Sequence, residues 1–217
     1  GVPTADGSAA FATLAEARAR LTGASLPFTE PMQPPAPDGS GMPSTLVRLA
    51  RAGGFRVERA GALSAETVRR RLTHTILFVC TGNTCRSPMA ERIARHLIER
   101  RPPGSVPIEV GSAGVSAARG EQTTPEAIES LRRAGIDARA SGSRPLDPDL
   151  VRWADQVFVM TGSHLHAVRR MGASVAQLLD PRGNDVPDPV GGSQHQYDET
   201  ARELTDLIAA RLQELSP

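Results

Sequence analysis

Cys80, with Arg86 six positions later and Ser87 beside it, is the group in this sequence with the clearest chemistry. Thr81, Gly82, Asn83, Thr84 and Cys85 lie between them. A thiol attacks only as its thiolate. A guanidinium is a planar fork of donors that fits two oxygens of a phosphoryl group, which a lysine ammonium does not copy. Joined by a tight turn, the pair forms a cradle for an oxyanion with a sulfur nucleophile at its base. Loop amides, a helix N-terminus and Arg86 all favour the charged form of the sulfur. The Ser87 hydroxyl can donate to the thiolate, or help its departure from a phosphocysteine. Gly82 lets the backbone approach closely, and Asn83 can tie the loop through its side chain. Phosphoryl transfer asks for positioning and charge stabilisation, and this loop offers both without a metal. The competing reading is a buried structural cysteine with an arginine nearby by chance. It leaves the Gly82-Asn83 turn and the Ser87-Pro88 helix opening unexplained.

The elements around the loop are those such a cradle needs. Ile76–Val79 is a short apolar run that predicts a buried parallel strand. Pro88 sits where a first helical residue is expected, and Met89, Ile93 and Leu97 recur at helical spacing. A cysteine enzyme expelling a poor leaving group also needs an acid. Asp188, in a Pro/Gly-rich loop, is the best candidate; Asp180 and Asp185 compete with it, and an Asp-Pro pair is also ordinary turn chemistry. After it, Leu204, Leu207, Ile208, Leu212 and Leu215 share one helical face. Between these, strands are expected at Val106–Val110, Gln156–Met160 and Val175–Leu179. Helices are expected from Thr124-Pro125-Glu126, with Ile128 and Leu131 on one face, and near Ser163–Met171. In such alternating folds ligands sit beyond the carboxyl ends of the strands, where Cys80 falls.

Val79 to Glu91, with Ser112-Ala113-Gly114, Ser143-Arg144-Pro145-Leu146 and Asp188-Pro189, resembles the low-molecular-weight protein tyrosine phosphatase family from about Thr73 onward. The resemblance implies an α/β fold: a doubly wound, four-stranded parallel sheet with helices on both faces, here with a small N-terminal appendage. It implies Cys80 as nucleophile, Arg86 as phosphate clamp and Asp188 as general acid. Thr81, Gly82, Asn83, Thr84, Cys85 and Ser87 then line the phosphate site, and Asn83, Ser87 and Ser112 form a supporting network. Thr84 and the string from Asp188 to Leu204 resemble the arginine phosphatase branch, where tyrosine-directed members commonly carry Ile or Leu at the position of Thr84. The expected substrates are therefore phosphorylated proteins, with phosphoarginine preferred. A chain that is 3% aromatic has little surface to enclose a phenol ring. A tyrosine phosphatase of the same mechanism is the alternative. Two departures from the resemblance stand out: Val190 stands beside the acid where the arginine branch has an aromatic, and the loop-supporting histidine that many family members carry does not occur from Ala138 to Gly142, so Ser141 or another residue must take its role. The resemblance also makes Cys85 a partner for a reversible disulfide with Cys80, against the plainer role of a small residue in a tight turn. The thioredoxin-coupled arsenate reductases share the loop, but their cycle needs cysteines that a chain with two, both in the loop, does not have.

The remaining features exclude more than they assign. A net charge of +1 gives no support for nucleic-acid binding, no run is long enough to span a membrane, and no signal-peptide pattern opens the chain. A reactive thiol with a vicinal cysteine suits the reducing cytoplasm. No cofactor is implied, the five histidines show no metal-ligand spacing and read as scattered surface or core residues, and the oligomeric state is not readable. The first residue is Gly1, read as a processed or cut end. Residues 1–72 form a separate segment from 73–217. It holds a capping box at Thr13 and Glu16 opening a helix to Leu21, a proline-rich stretch from Pro27 to Pro43, strands at Ser44–Leu49 and Phe55–Arg59, and a helix from Ser64 to Leu72. Pro43–Val47 and Glu58–Leu63 resemble the C-terminal end of threonylcarbamoyl-adenylate synthase domains, which makes a nucleotide-linked module a third reading. A small structural appendage is preferred, and Ser44, Thr45 and Arg59 are not offered as working sites.

Overall fold

The computed structural model describes residues 44–49, 54–103 and 105–215. The expected Thr13–Leu21 helix and Pro27–Pro43 stretch lie outside them. The chain divides into two compact units, one of residues 1–74, 101–107 and 214–217, the other of residues 75–100 and 108–213.

The first unit carries the antiparallel pair β1 (Leu46–Leu49) and β2 (Phe55–Arg59), with Val47 opposite Val57 and Leu49 opposite Phe55. Helix α1 (Ala65–Leu72) starts where Ser64 accepts a hydrogen bond from the Thr67 amide, the expected cap. Its Val68 and Leu72 pack against Val47 and Val106. The Thr45 hydroxyl donates to the Leu63 carbonyl and accepts from the Gly61 and Leu63 amides, so it holds the turn leading into α1.

The second unit is a four-stranded parallel sheet in the order β4-β3-β5-β6. β3 (His74–Cys80) is followed by α2 (Arg86–Glu99) and β4 (Ile108–Gly114). Then come α3 (Pro125–Arg133), α4 (Pro148–Trp153), β5 (Gln156–Val159), α5 (Gly162–Arg170), β6 (Ala176–Leu178) and α6 (Gln194–Glu214). Leu77, Phe78 and Val79 lie opposite Val157, Phe158 and Val159, so the two central strands are apolar on both faces. Leu77, Val79, Val157 and Val159 pack with Leu150 and Val151 of α4 and Val168 of α5. Phe78 and Phe158 stack with ring centroids 6.0 Å apart. The buried Arg211 of α6 lies 5.1 Å over the Phe158 ring and donates to the Leu178 and Leu179 carbonyls, joining the last helix to the sheet. β4 and β5 flank β3 on opposite sides, so Cys80, at the carboxyl end of β3, stands at the point where the strand order reverses.

Several boundaries shift by a residue or two from expectation, and one element was not expected. β4 begins at Ile108, because Pro107 has no N–H to give a ladder. α2 begins at Arg86, which places Pro88 third in the helix, still within the first turn where amides have no helical partner. α4 was not expected: its six residues are too few to show a period, although Asp147 caps it through the Leu150 amide and Pro148 opens it. Among the described residues no helix is long and apolar enough to cross a membrane.

Candidate active site

The loop between β3 and α2 is shaped by where its carbonyls go. The Cys80 carbonyl accepts from the Val115 amide, Thr81 from Ser116, Thr84 from Thr124 and Cys85 from Met89. With these oxygens bonded outside the loop, its amides and those of the first turn of α2 are what the bowl presents. Asn83 makes the bend, with φ at 54°. Gly114 permits the close approach of β4: a Cβ there would stand 2.4 Å from the Thr81 carbonyl oxygen and 2.8 Å from the Asn83 nitrogen.

Cys80 and Ser87 are both buried, with sulfur and hydroxyl 2.9 Å apart. The Asn83 amide N–H also donates to the sulfur, at 3.3 Å. The Asn83 side chain donates to Ser87 and to Ser112, each at 2.9 Å, and its oxygen accepts the Arg144 amide at 2.8 Å. Ser112 in turn donates to Glu91, which pairs with Arg95. Every polar group of the Asn83 side chain is therefore engaged, and its orientation follows from the network. Ser87 also lies 3.2 Å from the Ala113 carbonyl. Its one hydrogen can turn to that carbonyl when the sulfur is a thiol, and to the sulfur when it is a thiolate.

Arg86, 3% exposed, donates through Nη1 to the Val186 carbonyl at 3.1 Å and through Nη2 to the Asp188 carboxylate. Its Nε is buried without a partner. Asp188 does double duty: one oxygen meets Arg86, while the other accepts the Val190 amide at 3.3 Å and closes the Asp-Pro turn. Cys80, Arg86 and Asp188 thus converge on one bowl.

A family model for low molecular weight phosphotyrosine protein phosphatases matches residues 75–216. The chain belongs to this family. Its relatives include the protein-arginine-phosphatase of Bacillus subtilis, 38% identical over 140 residues, which span 61% of this chain and 91% of that protein. The low molecular weight protein-tyrosine-phosphatase PtpB of Staphylococcus epidermidis is 33% identical over 61% of this chain and 93% of its own length. The solved YwlE arginine phosphatase of Geobacillus stearothermophilus superposes with a TM-score of 0.57 at 37% identity, over 64% of this chain and 93% of that one.

In this phosphatase the rival carboxylates have other duties. Asp180 accepts from the Arg182 amide and guanidinium and from Asn184, and the Arg182 contacts hold its carboxyl down at about 2. Asp185 accepts the Gly162 amide at the start of α5. Ser141 does not support the loop; its hydroxyl meets Thr123, and the backbone of Arg144 fills the bond to Asn83. Val190 is 62% exposed, so that side of the bowl is open. The hydroxyl of half-buried Thr84 lies 3.6 Å from the Cys85 sulfur. Cys85 faces Tyr197 and Thr124 as well, at 3.4 and 3.6 Å, and both cysteines are free. Burial first, and then the bond with Cys85, push the Tyr197 phenol up to about 12.

Histidine is the residue type that the sequence underrates. His164 is buried, and its Nε2 lies 2.9 Å from the Thr81 hydroxyl of the loop. Tyr197 and Thr124 were missed too. All three come from elements far along the chain from Cys80, with no spacing signal to find them. A cavity of about 490 Å³ also adjoins the network, lined by Asn83, Glu91, Ser112, Arg144 and Trp153; Cys80, Arg86 and Asp188 do not line it.

Proposed function

We propose that this chain is a cysteine-dependent protein phosphatase that prefers phosphoarginine over phosphotyrosine and works through a phosphocysteine. The phosphoryl group enters the bowl, its oxygens meeting the loop amides and the Arg86 fork, where Nε is unpartnered. The Cys80 thiolate attacks phosphorus as the bond to the leaving guanidine nitrogen breaks. Asp188, freed from its ion pair when the phosphoryl oxygens take the Arg86 fork and then protonated from solvent, gives its proton to that nitrogen, so the leaving group departs as a guanidinium. Water then attacks phosphorus and gives its proton back to Asp188, and the sulfur leaves as a thiolate that the Ser87 hydroxyl receives at 2.9 Å. A YwlE arginine phosphatase mutant solved with a phosphorylated active-site serine, 36% identical with a TM-score of 0.59, supports the covalent step.

The observation that carries this reading is the convergence of Cys80, Arg86 and Asp188 on one bowl held by Asn83 and Ser87. The preference for arginine rests on Thr84, which offers a hydroxyl where a phenol ring would need an apolar wall, and on the open side at Val190. We also place the protein in the cytoplasm, where its thiols stay reduced. Initial rates on phosphoarginine and phosphotyrosine peptides, with Cys80→Ser as the blank, test the proposal. Preference for phosphoarginine, weakened in Thr84→Ile, supports it. Preference for phosphotyrosine keeps the mechanism and removes the specificity; absence of Cys80-dependent turnover on both removes the mechanism.

A further inference from the structure

His164, 4% exposed, bonds at both ring nitrogens: Nε2 to the Thr81 hydroxyl and Nδ1 to the Thr161 hydroxyl, each at 2.9 Å. Thr161 also caps α5 through the His164 amide, so the ring is anchored at the first turn of that helix. The same Thr81 hydroxyl faces Arg86 Nη2 at 3.5 Å. We propose that His164 is a positioning residue for the phosphate clamp, holding the Thr81 hydroxyl so that its lone pair faces the Arg86 guanidinium. The proposal deepens the hydrolase reading above and rests on it.

Donor counting carries the argument. Arg86 has only hydrogens to offer, so Thr81 must present a lone pair to it and send its single hydrogen elsewhere. A neutral imidazole with its proton on Nδ1 accepts that hydrogen at Nε2 and donates to Thr161. A protonated ring has no lone pair; it donates to Thr81 and leaves the Thr81 hydrogen without its acceptor, so the hydroxyl facing the guanidinium is no longer held in one orientation. Charged groups facing the ring come from two sides: Arg86 on α2, and Asp185 and Asp188 in the loop after β6. Burial and then Arg86 hold the imidazole below its usual range, against the two carboxylates, and keep it neutral near pH 7.

The full chain is compared with His164→Ala, His164→Asn, Thr81→Val and the His164→Ala/Thr81→Val pair. Inorganic phosphate affinity is measured by calorimetry across pH, together with kcat and KM on a phosphoarginine peptide and Tm. His164→Ala is expected to weaken phosphate binding by about tenfold, the size of one lost hydrogen bond to a charged group. Thr81→Val does the same, and the pair is no worse than either alone. Phosphate affinity of the unaltered chain falls in the acid range where the ring takes a proton, and this limb is absent in His164→Asn. Unchanged phosphate affinity in His164→Ala at unchanged Tm overturns the proposal, as do losses that add in the pair. If His164→Ala does not fold, Thr81→Val decides, since Thr81 is exposed: full affinity there overturns it as well. Phosphate binding that behaves as expected without Cys80-dependent turnover would sink the hydrolase reading and leave the clamp standing.

Discussion

Asn83 shows what a single side chain must do at this turn. It sits at φ 54°, a conformation that costs an L-residue without local bonding roughly 1–2 kcal/mol, and it spends all its side-chain polar groups on Ser87, Ser112 and Arg144. The two tasks separate by substitution. Asn83→Gly keeps the backbone and loses the network, while Asn83→Ala loses both. Each is expected to lower kcat at least tenfold, because Ser87 then has no fixed orientation toward the sulfur. Asn83→Ala should unfold at the lower denaturant concentration, by about 1 kcal/mol. Equal midpoints would show that the turn imposes no conformational cost.

At the scale of elements, the bowl was legible because one strand, one turn and one helix build most of it. The apolar run, the Gly82-Asn83 pair and the spacing of Met89, Ile93 and Leu97 are all local signals. What closes the bowl is not local: Arg144 reaches Asn83 from 61 positions away, His164 reaches Thr81 from 83, and Tyr197 reaches Cys85 from 112. Such pairings are made by strand order and helix packing, which no spacing pattern records. Likewise α4 was too short for periodicity, and Ser141 looked available until the backbone placed it on Thr123. The end of β4 contributes through closeness alone. Gly114→Ala should push the Thr81 carbonyl and the Asn83 nitrogen aside, lowering kcat/KM by about a hundredfold while the sheet, read by circular dichroism, stays intact. Activity within twofold of the unaltered enzyme would refute the tight contact.

The second unit as a whole records the burial of Tyr197, on the inner face of α6, in its response to alkali. The phenol has its proton held up to about 12 in the fold, against about 10 in an unfolded chain. A raised folded value contributes stability that is complete below pH 10 and is lost as pH rises from 10 to 12. Tm is therefore expected to fall over that window, and to fall less steeply in Tyr197→Phe, which has no proton to lose. Identical slopes in the two proteins would place the alkaline loss elsewhere.

The contacts of Thr84 have a consequence for divergence. Its hydroxyl faces the Cys85 sulfur and takes no part in the side-chain hydrogen bonds that hold Cys80, Arg86 and Asn83. On the proposed reading, a substitution at this position leaves those bonds in place and alters which leaving group the site admits. If Thr84 selects the leaving group as proposed, selection can explore new leaving groups at one position without first dismantling the reaction.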